Sequence, residues 1–264
     1  MLASQRRSVI LDIVEDHGAV KVSELVERLG VSDMTVRRDI ERLSSEGRLQ
    51  RVHGGALAVG SERASDEPGF SAKSKLQQAQ KRAIARAAAE RVEPGIAIGI
   101  SAGTTTYELA VAVADVPQLT VVTNSVPVAQ LLHDTGAPGQ TVVLTGGVRT
   151  PSDALVGPVA VGSLRSLHVD LLFLGAHGVD GRAGLTTPNL VEAETNRALV
   201  GTARQVCLLA DSSKWGNVGL STFADLAEVD LLVTDDALSS RGRVAAAELV
   251  GSLELVHVDE AERA

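Results

Sequence analysis

Residues 22–56 of this 264-residue chain have the sequence VSELVERLGVSDMTVRRDIERLSSEGRLQRVHGGA. Two short amphipathic helical patterns are separated by Gly30-Val31-Ser32, and the second of them is basic. A glycine stop at Gly47 and a short strand that ends in His53-Gly54-Gly55 follow. This order is typical of a helix-turn-helix with an attached wing, which places its second helix in the major groove of DNA. The stretch therefore predicts a unit that binds duplex DNA.

Apolar residues recur at helical spacing along three predicted helices, so that each helix has one inward face. The inward positions are Ile10, Ile13 and Val14 in a first helix (4–17), Val22, Leu25, Val26 and Leu29 in a second, and Val36, Ile40 and Leu43 in a third. Ser32 is predicted to cap the third helix, because a serine hydroxyl accepts a hydrogen bond from a free amide of the first turn.

The third helix is predicted to contact DNA with the face opposite its apolar one. At about 100° per residue, Arg38 points about 200° away from Val36. Arg38 is therefore the predicted reader of base edges, and Arg37, on the flank, is predicted to contact phosphate. The alternative for each arginine is a solvated, charged helix face. The candidate DNA contacts are Ser32, Met34, Thr35, Arg37, Arg38, Arg42, Arg51 and His53. His53 either contacts phosphate or caps the turn.

The net charge of −8 is unevenly distributed along the chain. Residues 1–57 hold nine Lys and Arg against nine Asp and Glu, so the whole negative excess lies in the remaining residues. An acidic body restrains indiscriminate binding of polyanions, while a local basic face still neutralises phosphates. The charge distribution is compatible with DNA binding and does not by itself prove it.

Composition also limits where the protein works and which cofactors it uses. Hydrophobic residues make up 44% of the chain, which is enough to form a core. Cys207 is the single cysteine, so an internal disulfide is excluded and a reducing compartment is favoured. No apolar run approaches the roughly 20 residues of a membrane span, and the first residues lack the layout of a signal peptide. We predict a cytoplasmic protein without membrane contact, metal or cofactor.

Beyond residue 59 the pattern changes to that of an α/β protein. Residues 60–69 have linker composition, and the segment from Lys73 to Val92 is predicted to be a helix. Six apolar runs then alternate with helical stretches, at residues 96–100, 120–123, 141–145, 171–175, 206–210 and 231–234. Such runs predict a mostly parallel sheet with both faces covered. The predicted organisation is a winged helix-turn-helix over 1–58, a linker over 59–72 and a sensing domain over 73–258.

The turn after the first predicted strand of this domain has the sequence SAGTTT, residues 101–106, and a helical segment follows it. A helix start that follows a buried strand presents free backbone N–H groups, here joined by hydroxyls, to an anion. The lysine of a Walker A loop is missing, and so is the GxGxxG pattern of a dinucleotide loop. The alternative is an ordinary tight turn between strand and helix.

Polar residues also follow four other apolar runs directly. They are Thr123-Asn124-Ser125, Gly146-Gly147, His177-Gly178-Val179-Asp180 and Asp211-Ser212-Ser213-Lys214. Because the carboxyl ends of parallel strands converge on the ligand crevice of an open sheet, these segments predict one binding site. In such a site Lys214 would supply positive charge to an anionic ligand, and Asn124 and Asp211 would bond hydroxyls. A turn cap for Asp211 and a surface charge for Lys214 are the alternatives.

These segments resemble the DeoR-type bacterial transcriptional regulators. The similarity covers TVRRD, GRL and RVHGGA in the first unit and SAGTTT, VVTNS, LTGG, FLGAHGVD and ADSSKWG between Phe70 and Asp236. It implies an effector domain similar in fold to ribose-5-phosphate isomerase that senses a sugar phosphate. By position it implies effector contacts at Ser101, Gly103, Thr104, Thr105, Thr106, Asn124, Gly147, Asp211 and Lys214. His177 either helps to select the ligand or fills space.

We therefore expect a repressor of a carbohydrate-use operon whose partners are double-stranded operator DNA and a phosphorylated sugar. A homodimer or homotetramer is expected, because helix-turn-helix proteins bind symmetric half-sites in pairs. The rival is an active sugar-phosphate isomerase that carries a DNA-binding domain, but the carboxylates of Asp180, Glu192 and Glu194 do not complete an acid–base constellation. A metal or redox sensor is disfavoured, because Cys207 lies in an apolar strand and the histidines lack ligand spacing.

Overall fold

The computed structural model describes residues 3–17, 19–45, 48–52, 55–58 and 69–258. The internal contacts divide the chain into two units, residues 1–63 and 64–264. Gly47, His53 and Gly54, to which the sequence assigned a helix stop and a wing turn, lie outside the described residues. Most of the predicted linker does so too, and the domain limits 1–58 and 73–258 stay predictions.

The first unit has the element order of a helix-turn-helix with a small sheet. Its described elements are α1 (Ala3–His17), β1 (Ala19–Lys21), α2 (Val22–Leu29), α3 (Asp33–Ser45), β2 (Leu49–Val52) and β3 (Gly55–Ala58). The strands pair antiparallel in the order β1-β3-β2. The three helices confirm the sequence prediction. Gly55 begins the returning strand instead of ending the first one, and β1 was not predicted because three residues give no readable periodicity.

Most of the described core of the first unit consists of predicted inward positions, and Leu11, Val20, Leu49 and Ala56 join it without having been predicted. Val36, Ile40 and Leu43 of α3 are at most 2% exposed. They belong to one cluster with Ile10, Val14, Val22 and Leu25, and Ile13, Val26 and Leu29 pack against that cluster half-buried. Gly30 has a φ of 63° and its N–H donates to the Val26 carbonyl, which ends α2 with the left-handed turn that glycine favours.

The second unit is built on a sheet with helices around it. Its strands are β4 (Ala97–Ile100), β5 (Thr120–Thr123), β6 (Thr141–Leu144), β7 (Val148–Arg149), β8 (Leu155–Val156), β9 (Val169–Leu174), β10 (Gly178–Asp180), β11 (Gly184–Thr187), β12 (Ala203–Leu209), β13 (Ser221–Ala224), β14 (Leu231–Asp235) and β15 (Leu253–Val256). Its helices are α4 (Phe70–Ser74), α5 (Gln78–Ala89), α6 (Thr104–Ala112), α7 (Val126–Thr135), α8 (Pro158–Leu164), α9 (Leu190–Val200) and α10 (Ser240–Leu249). Within the described ranges, no helix is long and apolar enough to cross a bilayer.

Seven of these strands form one parallel sheet with the order β15-β14-β12-β9-β4-β5-β6. The six predicted strands are all members of it, so the mostly parallel sheet is confirmed. The edge strand β15 was not predicted, because its sequence LELV is not a continuous apolar run. The antiparallel sheet β10-β11-β13 and the hairpin β7-β8 are further additions.

Side chains of the sheet pack alternately into two cores, one on each face. In β9, Phe173 joins the cluster that contains residues of α5, α6 and α7, whereas Leu172 and Leu174 join the cluster with residues of α8, α9 and α10. This alternation explains why the buried stretches of the central strands, such as residues 172–174 and 206–209, are apolar on both faces. The predicted covering of both faces is confirmed.

The segment from Lys73 to Val92, predicted as one helix, is two helices. α4 ends at Ser74 and α5 begins at Gln78. Gln77 has a φ of 51°, in the left-handed region, and a helix cannot continue through that conformation. Residues 70–72, which the sequence assigned to the linker, belong to α4.

Candidate functional site

The outward face of α3 carries the predicted DNA-contacting side chains. Arg37, Arg38 and Arg42 are exposed, and Met34 is 65% exposed, on the opposite side from the buried Val36. Arg38 makes no hydrogen bond or ion pair with another described residue. The arrangement leaves a basic surface open to a polyanion, as the helical spacing predicted, while the roles of the individual residues stay predictions.

The first turn of α3 is fixed by its own side chains. The Ser32 hydroxyl accepts from the Thr35 N–H at 3.3 Å and lies 2.9 Å from the Thr35 hydroxyl, which confirms Ser32 as the cap. Arg37 lies along the same turn, with its Nε 2.5 Å from Asp33 Oδ1. This hydrogen bond lowers the pKa of Asp33 and raises the pKa of Arg37. The Arg37 guanidinium is thus held toward the helix N-terminus.

A buried ion pair joins α3 to α1. Arg6 Nε donates to Asp39 Oδ2 at 2.5 Å, and the two side chains are 12% and 10% exposed. The sequence analysis missed this pair. The signal was an aspartate that lies at about −60° from Val36, near the inward face, where a carboxylate needs a partner.

For two candidate DNA contacts, Arg51 and His53, the structure does not describe the side chain. Arg51 lies in β2, where its backbone pairs with Ala56, and its side chain is not among those described. His53 lies outside the described residues, so its two roles stay open.

The candidate effector site begins where the strand order of the large sheet reverses, between β4 and β9. Ser101 follows β4, is 1% exposed and bridges the two strands: its N–H donates to the Phe173 carbonyl, and its hydroxyl accepts from the Gly175 N–H, both at 3.0 Å. Ligands of open parallel sheets bind at such a reversal. Ser101 therefore ties the carboxyl end of β4 to that of β9.

The turn from Gly103 into α6 follows at once. The Thr106 hydroxyl is fully buried and donates back to the Gly103 carbonyl at 3.0 Å, and Thr105 is also buried. Thr104 is half-buried at the first position of α6. The first-turn N–H groups of a helix have no partner within the helix, so Thr104, Thr105 and Thr106 present three backbone donors at the carboxyl end of β4.

Asn124 is buried between loops and not open to solvent. Its Oδ1 accepts from the Ala102 N–H at 2.8 Å, and its Nδ2 donates to the Leu155 carbonyl at 3.3 Å. It thereby fixes the SAGTTT turn from the neighbouring strand β5. The structure gives Asn124 a positioning role beside the predicted contact with a ligand hydroxyl.

Gly147 and His177 also have local roles. Gly147 has a φ of 120°, and a Cβ atom there would lie 2.5 Å from the Val156 carbonyl oxygen, so the close approach of β8 requires glycine. His177 is half-buried, and its N–H donates to the Thr186 carbonyl at 3.1 Å, which places it beside β11. Their contacts with an effector stay predictions.

Asp211 and Lys214 lie in the turn after β12. Asp211 is 2% exposed, and its Oδ1 accepts from the Ser213 N–H at 3.1 Å, so it caps the short 3-10 helix 212–214. The adjacent Asp235 is fully buried and accepts from the Ser212 N–H, and burial raises its pKa. Lys214 is half-buried. Asp211 therefore caps this turn, as the alternative held, and the contact of Lys214 with an effector stays a prediction.

Lys81, near the start of α5, was missed by the sequence analysis. It is 4% exposed, and its Nζ donates to the Lys73 carbonyl at 2.5 Å. Burial lowers its pKa from 10.5 to about 8, and the charges of Asp211 and Lys214 act on it with opposite sign. Lys81 therefore lies near two of the predicted effector contacts. The signal was a lysine on the buried stripe of α5, in register with Ala85 and Ala88.

The described residues give less support to the alternatives of an isomerase, a redox sensor and a metal sensor. Asp180 Oδ1 accepts from the N–H groups of Arg182 and Ala183, which ties this carboxylate to the β10–β11 turn. Burial raises the pKa of the Cys207 thiol to about 12, so it stays protonated and unreactive. Across the described ranges, no three His, Cys, Asp or Glu side chains are grouped to hold a metal ion.

A helix-turn-helix unit joined to an α/β unit with a crevice at the strand reversal defines the class: a DNA-binding transcriptional regulator with a sensor domain. The profile of the DeoR-like helix-turn-helix domain matches residues 6–62, and that of the DeoR C terminal sensor domain matches residues 76–236. The chain belongs to the DeoR family. The two matches confirm the resemblance to the DeoR-type regulators. This family consists of DNA-binding regulators and not of enzymes, so the isomerase alternative is disfavoured.

Curated relatives align over nearly the whole chain. The HTH-type transcriptional regulator GlpR of Haloferax volcanii is 38% identical over 92% of this chain and 94% of its own. The putative aga operon transcriptional repressor of Escherichia coli O157:H7 is 35% identical over 89% and 87%. Among solved structures, ribose 5-phosphate isomerase A from Methanocaldococcus jannaschii matches with a TM-score of 0.37 and 17% identity, over 51% of this chain and 53% of that one.

Proposed function

We propose that this protein represses a carbohydrate-use operon and that a phosphorylated sugar, bound in the crevice of the sensor unit, releases it from its operator. The α3 face supplies the DNA contacts, with Arg38 at base edges and Arg37 at phosphate. The names of two relatives, the putative aga operon transcriptional repressor and the lactose phosphotransferase system repressor of Streptococcus mutans, support a sugar-related operon.

One observation carries the phosphate part of the proposal. The free backbone donors of Thr104–Thr106 lie at the reversal of the sheet, and the crevice also holds the cations Lys81 and Lys214. Backbone donors at a helix start together with lysines form a site for an anion with several acceptor oxygens. The buried Asp211 supplies an acceptor for sugar hydroxyls.

The test is release of DNA by a panel of compounds. The full-length protein is bound to a labelled duplex from the region upstream of its own gene, and pentose and hexose phosphates are titrated against it beside the unphosphorylated sugars. We expect at least one phosphorylated sugar to dissociate the complex and its unphosphorylated form to fail. Binding of the duplex without release by any sugar phosphate would contradict the effector assignment, and failure to bind the duplex at low salt would contradict operator binding.

A pair of charge-removing variants sharpens this test. Lys214→Gln should weaken release, because it removes a cation from the rim of the crevice. Arg165→Gln removes an equal charge from an exposed position that follows α8 and should release as the parent does. Equal behaviour of the two variants would remove Lys214 from the site.

A further inference from the structure

Lys81 carries a buried charge that the protein itself does not neutralise. Its ammonium group has three protons, and the described residues accept only one of them, through the Lys73 carbonyl. It forms no ion pair with a carboxylate of any described residue. A buried ammonium group with unbonded protons destabilises the folded state unless an anion binds to it.

The charges around Lys81 do not compensate for its burial. Asp211 and Glu108 favour its charged form, whereas Lys214 and Lys73 oppose it. Two of these four neighbours thus favour the charged form and two oppose it, and burial is the dominant influence. An incoming dianion would reverse this balance, since it adds negative charge where none is now in contact with the ammonium group.

The same lysine is attached to α4, the five-residue helix over Phe70–Ser74. The Lys73 carbonyl, in the last turn of α4, accepts from Lys81 Nζ and also from the Leu76 N–H. At the other end of α4, the Phe70 ring meets the Tyr107 ring edge-on, with 5.5 Å between centroids. Tyr107 directly follows Thr106 on α6, so α4 contacts both helices that carry the anion-binding groups.

The position of α4 in the chain gives these contacts a consequence. It is the first described element of the unit that spans residues 64–264, and the chain reaches it from the DNA-binding unit through residues 59–68. A ligand that changed how firmly α4 is held would therefore act at the start of the sensor unit, next to the covalent connection with the DNA-binding unit.

We propose that Lys81 binds the phosphoryl group of the effector with its two remaining protons and, through the Lys73 carbonyl, ties the occupied site to α4. In this arrangement the effector docks α4 more firmly against α5 and α6. The inference rests on the proposed function, because it assigns a ligand group and a relay to the same crevice.

Hydrogen exchange on the full-length protein tests the relay. Amides of residues 70–76 are followed with and without the sugar phosphate that releases DNA, and with inorganic phosphate as a minimal probe. We expect exchange there to slow by about tenfold in the parent on binding of the sugar phosphate. Lys81→Met should bind the compound at least about tenfold more weakly, in line with loss of a charge-assisted contact.

A second variant separates the relay from ligand binding. Phe70→Ala, with Phe70→Leu as a milder version, loosens α4 without removing an anion-binding group. It should bind the sugar phosphate and the operator as the parent does, yet release DNA several-fold less on ligand binding. Tyr107→Phe keeps the ring contact and serves as the control.

The outcomes distinguish the two proposals. Sugar-phosphate binding with unchanged exchange over residues 70–76, or full DNA release by both Phe70 variants, would overturn the relay and leave the effector site standing. Normal affinity in Lys81→Met would overturn the role of Lys81. Absence of binding of any sugar phosphate to the parent would contradict the proposed function and the relay together.

Discussion

Arg6 and Asp39 form an ion pair between α1 and α3, with 2.5 Å between Nε and Oδ2 and about a tenth of each side chain exposed. It ties α3 to α1 through charge, in addition to the apolar packing of these helices in one cluster. Asp39 follows Arg37 and Arg38 directly in the sequence TVRRD, so the pair sets how those two arginines face outward. The position of α3 in its unit thus depends on this ion pair as well as on the apolar face of the helix.

Removing one partner of this pair should destabilise the DNA-binding unit. We expect Asp39→Asn to cost about 3–5 kcal/mol, because a buried guanidinium is left without its carboxylate. The loss should appear in urea denaturation of the full chain as an earlier first transition. The double variant Arg6→Met with Asp39→Leu should be more stable than Asp39→Asn alone. A single variant that unfolds like the parent would show that the pair is unimportant.

The adjacent arginines of α3 should differ in their effect on sequence choice. We expect Arg38→Ala to lose about 1–3 kcal/mol on the operator and to relax preference at one base pair of each half-site, because it removes a base-edge contact. Arg37→Ala should weaken all duplexes alike and reduce the salt dependence by about one counterion. Binding to the operator and to its single-base variants at several salt concentrations measures both effects. If Arg37→Ala relaxed the sequence preference and Arg38→Ala weakened all duplexes alike, the roles assigned to the two arginines would be wrong.

The buried charge of Lys81 should make the unliganded sensor unit less stable than the same unit with a neutral side chain at this position. The pKa of Lys81 is lowered to about 8, so below pH 8 the folded state holds an unfavourable charge that the unfolded chain carries in water. We expect Lys81→Met to raise the free energy of unfolding by roughly 2 kcal/mol at pH 7. The gain should shrink as pH rises from 8 toward 10.5, because the folded parent then loses that proton.

The exposed Lys75 offers a matched control for this measurement. Lys75→Met removes the same charge from a solvated position and should show no gain that varies over the same pH range. Urea denaturation of the three proteins at pH 7, 8 and 9.5 makes the comparison. A Lys81→Met variant that is less stable than the parent at every pH would contradict the uncompensated charge.

Gly147 and Gly162 should differ in the change of stability that follows replacement by alanine. Gly147→Ala should destabilise the sensor unit by more than about 1 kcal/mol, because its φ is 120° and its Cβ would lie 2.5 Å from the Val156 oxygen. Gly162 lies within α8, with no atom within 4 Å of an added Cβ. Gly162→Ala should therefore be neutral or stabilising by up to about 1 kcal/mol. Thermal unfolding measures both, and a tolerated Gly147→Ala would show that β7 and β8 can separate.

Much of the fold could be predicted from the sequence because its signals are local. Val36, Ile40 and Leu43 show the buried side of α3 by spacing alone, and the six apolar runs mark the interior strands of the sheet. The break between α4 and α5 carried no such signal, because Gln77 adopts the left-handed conformation without a Gly, Asn or Pro nearby. The edge strand β15 is half-exposed, so it lacks the continuous apolar run on which the prediction depended.

The contacts of the candidate site residues could not all be read from the sequence. Asn124 follows a strand as predicted, yet it bonds two backbone groups, and its partners Ala102 and Leu155 become neighbours only in the folded chain. Lys81 and Lys73 are eight residues apart in sequence, and their contact depends on the break between the two helices. Long-range pairs such as Arg6 with Asp39 are likewise fixed by packing, which no local pattern contains.

The central claim is that operator and sugar phosphate bind one protein with opposing effects. The most direct test measures the affinity of the full-length protein for the releasing sugar phosphate in the presence and absence of saturating operator duplex. Because coupling is reciprocal, the operator should weaken effector binding by the same factor as the effector weakens operator binding, and a tenfold factor corresponds to about 1.4 kcal/mol. Equal effector affinity with and without operator would contradict the account.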